Sequence, residues 1–196
     1  MIRIIIIAIL SVGLLTASVA APIPNLPADM ELVIPTVKGA KWVYNIGDEK
    51  LVEVISEVEV KGGATIYTIT DEIVDVVKFT PVDKWVVAKN GYFKLVNGGA
   101  ELEPPLCFLR FPARIGDNWK WETANGKGLT GTAVIRKREW VTVEAGKFRC
   151  VRVESMSSDN QTKEPTVFWY ASKVGLVKLQ DGDYVKELKS ITIPAK

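Results

Sequence analysis

The chain has 196 residues, 47% of them hydrophobic and 24% charged, which suits one globular domain around a single core. Its 25 Lys and Arg stand against 23 Asp and Glu, a net charge of +2 with no basic block, so nothing favours a nucleic-acid partner. Histidine is absent, which excludes Ser-His-Asp, Cys-His and His-metal chemistry at once.

Arg3 precedes the uncharged apolar run Ile4–Val19, which closes on the small residues Ser18-Val19-Ala20. That is the pattern of a secretory signal cleaved after Ala20. The alternative is an uncleaved anchor, and the run of 16 residues is short of the ~20 that a spanning helix needs. Residues 1–20 are therefore read as a signal peptide, and the mature protein as exported, periplasmic or extracellular, with no membrane span. No Cys follows the small residues to carry a lipid. Residues 21–39 hold Pro22, Pro24, Pro27 and Pro35, an extended lead-in with room for a short strand within Glu31–Val37.

Residues 40–193 read as one β domain. In Val52, Val54, Ser56, Val58 and Val60 one parity is apolar, while Glu53, Glu57, Glu59 and Lys61 hold the other with Ile55 intruding, a half-buried strand ended by Gly62-Gly63. Ala64–Thr70 and Val74–Val82 follow, with a helix over Thr70–Val77 as the lesser alternative. Trp85-Val86-Val87 runs to Asn90-Gly91, a type I′ hairpin signal, and then to Tyr92–Val96. A Pro-interrupted segment separates these from Asn118–Thr123, Thr130–Val143, Lys147–Met156, Thr166–Ala171, Leu176–Leu179 and Tyr184–Ile193. Ten or eleven strands and no sustained helical period predict an all-β antiparallel meander.

Several segments in a fixed order resemble one family: Trp42-Val43-Tyr44, Asn90-Gly91-Tyr92, Pro104-Pro105-Leu106, Gly116-Asp117 with Trp119, Val143-Glu144-Ala145-Gly146-Lys147-Phe148, and Trp169-Tyr170-Ala171 leading to Val174-Gly175-Leu176. Together they resemble the TapB-like secreted bacterial β-sheet proteins of unknown function. Glu144 stands where that family usually has Pro. The strand count is also similar to that of periplasmic lipoprotein carriers, so the resemblance implies an open or incomplete β-barrel, a strongly bent sheet. It implies no catalytic residue.

Cys107 and Cys150 are the only cysteines. An even pair in an oxidising compartment predicts a disulfide, with two buried thiols as the alternative. Trp119 and Trp121 are two apart and share one strand face, opposite Asn118, Lys120 and Glu122. They are expected to point inward, as core or as a stacking platform. Trp140 shares parity with Arg136 and Arg138 and is expected on the polar face beside guanidinium groups. Phe168-Trp169-Tyr170 puts aromatics on both faces. A sheet curving towards its apolar parity would enclose Trp119, Trp121 and Trp169, with no charged group among them.

The acid pairs Glu57/Glu59, Glu101/Glu103 and Asp181/Asp183 sit at turns or on polar parity, where solvated edges are a simpler explanation than a glycosidase dyad. Asp181-Gly182-Asp183 lacks the oxygen ligands calcium needs, and Lys127 between Gly126 and Gly128 lacks the spacing of a phosphate loop. Asn160-Gln161-Thr162 has glycosylation spacing. No metal and no cofactor are expected. The sequence thus points to an exported, non-enzymatic binding or carrier module for an apolar ligand, a lipid or a protein segment. Trp119, Trp121, Trp140 and Trp169 are the candidate contacts. A glycan-binding surface built on exposed aromatics is the alternative, and a carboxylate glycosidase ranks third.

Overall fold

The computed structural model describes residues 32–73, 82–123, 129–158 and 164–195. The signal peptide, most of the lead-in, nearly all of the strand expected over Val74–Val82, the helix alternative beyond Ile73, Lys127 and Asn160-Gln161-Thr162 lie outside the described residues. Twelve strands follow one another: β1 (Lys41–Ile46), β2 (Glu49–Lys61), β3 (Ala64–Ile73), β4 (Val82–Ala88), β5 (Gly91–Asn97) and β6 (Ala100–Arg110), then β7 (Asn118–Thr123), β8 (Leu129–Val143), β9 (Gly146–Ser157), β10 (Thr166–Ala171), β11 (Gly175–Asp181) and β12 (Tyr184–Thr192).

All twelve form one antiparallel sheet in the order β6-β5-β4-β3-β2-β1-β12-β11-β10-β9-β8-β7. From β1 in the middle the strands meander out to β6, the chain crosses to β7 through Phe111–Asp117, and the strands meander back until β12 pairs with β1. The sheet curls so far that its two edges, β6 and β7, come together as a nearly closed barrel with one unsealed seam.

Strand β6 is absent from the sequence expectation because Pro104 and Pro105 interrupt it. A proline gives no amide to a ladder, so it is tolerated where one side of the strand has no partner. Here β6 is the seam edge, and its pairing with β5 slips between Lys94 and Val96 to pass the prolines. The β4–β5 hairpin is present, but its turn is Lys89–Asn90, with Ala88 opposite Gly91. Gly91 is a strand residue without positive φ; a side chain there would collide with the Leu109 carbonyl.

A bulge between Ile55 and Glu57 corrects the parity expected for β2. Ahead of it Ile55 is fully buried and Glu53 turns into the barrel; beyond it Val58, opposite Tyr67, is on the expected face, although Val58 and Val60 are exposed there. A bulge reverses which parity faces inward, and nothing in the alternating valines announces it. A second bulge between Ile135 and Lys137 has the same effect on β8.

The lead-in is partly structural. Leu32 and Ile34 are buried, and Val33 is bound on both sides of its peptide: its amide donates to Ser172 Oγ (3.1 Å) and its carbonyl accepts from Lys173 N (2.6 Å). The tip of the β8–β9 hairpin reaches β12 and β1. The Ala145 amide donates to Leu188 O (3.2 Å), and Glu144 pairs with Lys189 (3.1 Å) and accepts from Asn45 Nδ2 (2.9 Å).

Candidate functional site: the seam and the lumen

Two neighbouring cavities are built by the inward parity of the strands. At the seam, Pro104, Pro105 and Cys107 of β6 face Trp121 of β7 across a cleft of about 740 Å³ that continues past Met156 of β9. Trp121 can lie flat there because its cross-strand partner is Gly131, and a β-carbon at 131 would occupy the space of the indole ring. Its Nε1 donates to Ser155 Oγ (2.9 Å). A smaller pocket of about 180 Å³ lies behind, sharing Cys107, Trp121 and Ser157 with the cleft and ending on Phe108 and Phe168. Trp119 closes the other end of the seam. It is 3% exposed, its indole donates to the Cys107 carbonyl (3.0 Å), and the Arg110 guanidinium stands 6.0 Å from its ring. A side chain thus does what a backbone ladder would do in a closed barrel.

The second cavity is the lumen, about 260 Å³. Its aromatic wall includes Tyr44, Tyr67, Trp85, Tyr92 and Tyr170. Trp85 stacks on Tyr92 (4.8 Å) and meets Phe108 edge-on (4.9 Å), while the Tyr67 and Tyr92 hydroxyls share a hydrogen bond of 2.7 Å. Burial raises the pKa of all these phenols well above the usual range, so they remain neutral donors. Contrary to expectation, the same wall carries charge. Glu53 pairs with Lys186 and Asp83 with Lys94 (2.5 Å), and Asp71 joins them. Burial first, then Glu53, pushes the Asp71 carboxyl up to about 6. Period two held the signal, since Asp71 follows Tyr67 and Ile69 and Lys94 follows Tyr92. Assigning every charge to the wet face hid it.

The four candidate tryptophans do not converge. Trp119 and Trp121 point inward at the seam, with Asn118, Lys120 and Glu122 exposed. Trp140 is 46% exposed, but the cation over its ring is the Lys147 ammonium (5.4 Å): the β8 bulge separates it from the parity of Arg136, and Arg138, though on its parity, is held elsewhere. Arg136 pairs with Glu154 and Arg138 donates to the Ala113 carbonyl. Trp169 corrects the expectation most clearly: Phe168 and Tyr170 face the lumen, so Trp169 faces out. There it stands in a cross-strand row, Lys137–Arg152–Trp169–Lys178–Glu187. Arg152 and Lys178 lie 5.6 and 5.7 Å from its ring, and its Nε1 donates to Glu139 (2.9 Å).

The expected Cys107–Cys150 disulfide does not form; both thiols are free. Parity is the reason. Cys107 lines the seam cavity together with Val153, whereas Cys150 lies on the opposite face of β9 from Val151 and Val153, opposite Glu139 and Ala171. Glu57, Glu59, Glu101, Glu103, Asp181 and Asp183 are all exposed. Among the described residues no group of three His, Cys, Asp or Glu is placed to hold a metal.

Comparison with known proteins agrees with this architecture. No curated protein matches the chain. A crystal structure of a candidate exported protein with a YmcC-like fold, from Bacteroides fragilis, superposes with a TM-score of 0.54 at 13% identity, covering 84% of this chain and 100% of that one. A candidate lipoprotein from Parabacteroides distasonis gives 0.49 at 15% identity with the same coverage. The β8–β12 half also carries a sequence signature: residues 132–193 match the model of the DUF3108-like family, and over that stretch the chain is similar to its members.

Proposed function

We propose that the protein is an exported, non-enzymatic binding or carrier module that takes an apolar ligand, an acyl chain or an apolar protein segment, at the seam between β6 and β7. The observation that carries this reading is the unsealed seam itself. A sheet of twelve strands stops one ladder short of closure, and the gap is filled by a cleft whose floor is Trp121 and whose rim is Pro104, Pro105 and Met156. Its volume lies within the ~300–1,000 Å³ typical of ligand sites. The outer face is hydrated, with ion pairs Arg136–Glu154, Arg152–Glu154 and Lys178–Glu187, which leaves the seam as the mainly apolar entrance, with Lys120 and Glu122 at its polar border. Export is supported by the signal-like run Ile4–Val19 and by the similarity to a protein described as a candidate exported one. Kinship with TapB-like proteins, carried by the segments quoted above, belongs to the same reading. Neither nucleic acid nor a catalytic acid pair has a part in it.

The surface-glycan alternative has one exposed indole, Trp140, and no second ring beside it among the described residues. Titration with an uncharged apolar dye tests the proposal. Saturable enhancement of its emission is expected, with affinity at least fivefold weaker in Trp121→Ala and unchanged in Trp140→Ala. Equal binding by all three proteins would refute the seam.

A further inference from the structure

The lumen holds three carboxylates, Glu53, Asp71 and Asp83, and two ammonium groups, Lys94 and Lys186. Each lysine is taken by one acid, Lys186 by Glu53 and Lys94 by Asp83. Asp71 is left without an ion pair among the described residues, and its Oδ1 is buried with no hydrogen-bond partner. Across the same wall Trp85 Nε1 is a buried donor, likewise without a partner. Buried polar groups are nearly always satisfied, so a cavity holding one orphan acceptor and one orphan donor is incomplete as it stands. The walls already accept ammonium groups on their ring faces: Lys94 Nζ is 4.9 Å from the Trp85 ring and Lys186 Nζ 4.2 Å from that of Tyr44. Solutes can reach the two ion pairs beside Asp71, whose side chains keep 10 to 16% exposure.

We propose that the lumen is a second binding site, for a small primary amine that also carries an acceptor oxygen, with Asp71 as counter-ion to the ammonium and Trp85 Nε1 as donor to the oxygen. An ammonium brings three donors and one positive charge, which balances the lumen at neutrality. The aromatic wall covers the carbon chain between the two polar ends. The cavity of about 260 Å³ limits the ligand to a small molecule. This site is separate from the seam: the lumen shares no lining residue with the seam cleft, and the edge-on pair Phe108–Phe168 (5.6 Å) walls it off from the smaller pocket behind that cleft.

The pH dependence follows from the groups that face Asp71: Glu53, Asp83, Lys94, Lys186 and the phenols of Tyr44, Tyr67, Tyr92 and Tyr170. Asp71, whose carboxyl titrates at about 6, must ionise to hold the ammonium. Binding should therefore strengthen as pH rises through that value. The test is calorimetric titration of the purified protein with 6-amino-1-hexanol and with hexane-1,6-diol, its neutral counterpart of equal length. The expected result is saturable binding of the amine at pH 7.5, about tenfold weaker at pH 5, about tenfold weaker in Asp71→Asn, and unchanged in Trp121→Ala. The diol should bind at least tenfold more weakly than the amine. Equal affinity for amine and diol, no saturable binding, or a pH-independent constant in the wild-type protein would each overturn the proposal. None of these outcomes requires the variant to fold, and loss of amine binding would leave the seam reading untouched.

Discussion

Asp71 is the residue at which the lumen is least comfortable, and its protonation links the cavity to the stability of the fold. Its carboxyl is pushed from 3.8 up to about 6, mainly by burial. Between those two values the folded protein binds more protons than the unfolded chain, so stability falls as pH rises from about 4 to about 6 and stays at the lower level above. Replacing Asp71 by Asn removes the charge and keeps the shape. The variant is predicted to be more stable than the wild type at pH 7.5 by ~1–2 kcal/mol, a figure reduced for the water that reaches the open side of the cavity. The gain should vanish below pH 4. Denaturant melts at pH 7.5 and pH 4 measure it, and an Asn variant less stable at both would mean that Asp71 is satisfied by a partner.

At the level of strands, the two bulges decide which residues face inward. Each half of β2 alternates faithfully, yet the bulge after Ile55 exchanges the faces, so Glu53 enters the lumen ahead of it while Val58, opposite Tyr67, takes the inner face beyond it. The meander, most strand positions and the inward turn of Trp119 and Trp121 were legible, because alternation and turn glycines are local signals. Strand β6 was hidden by its prolines, whose tolerance depends on the seam, a property of the closed sheet. The lumen charges were hidden because ion pairs such as Glu53–Lys186 join residues of distant strands that only β1–β12 pairing brings together. The same strand parity governs the cysteines. Burial pushes the Cys150 thiol up to about 12, with Glu139 adding to it; burial also raises Cys107, and Arg110 partly offsets the rise. Maleimide at neutral pH should add once, slowly, to the folded protein at Cys107, and twice after denaturation without reductant, as read by intact mass. Failure of both thiols to react in denaturant would restore the disulfide.

The whole molecule is a barrel that stops one ladder short. The first and last strands lie at the centre of the sheet, so β1 and β12 seal the middle while β6 and β7, joined by Phe111–Asp117, meet as the loose edges. Trp119 pins one end of that meeting and Trp121 floors the open end. A fully closed barrel would hide its interior, and an open sheet would leave both edges to aggregate; this arrangement keeps an apolar cleft accessible on a protein with a charged exterior. The most direct test of that account is quenching of Trp121 by an acyl chain brominated near its middle, since bromine quenches only an indole it touches. Saturable loss of fluorescence is predicted in the wild-type protein, with most of it abolished in Trp121→Phe. Quenching that is absent, or undiminished in that variant, would contradict the assignment of the seam as the ligand site.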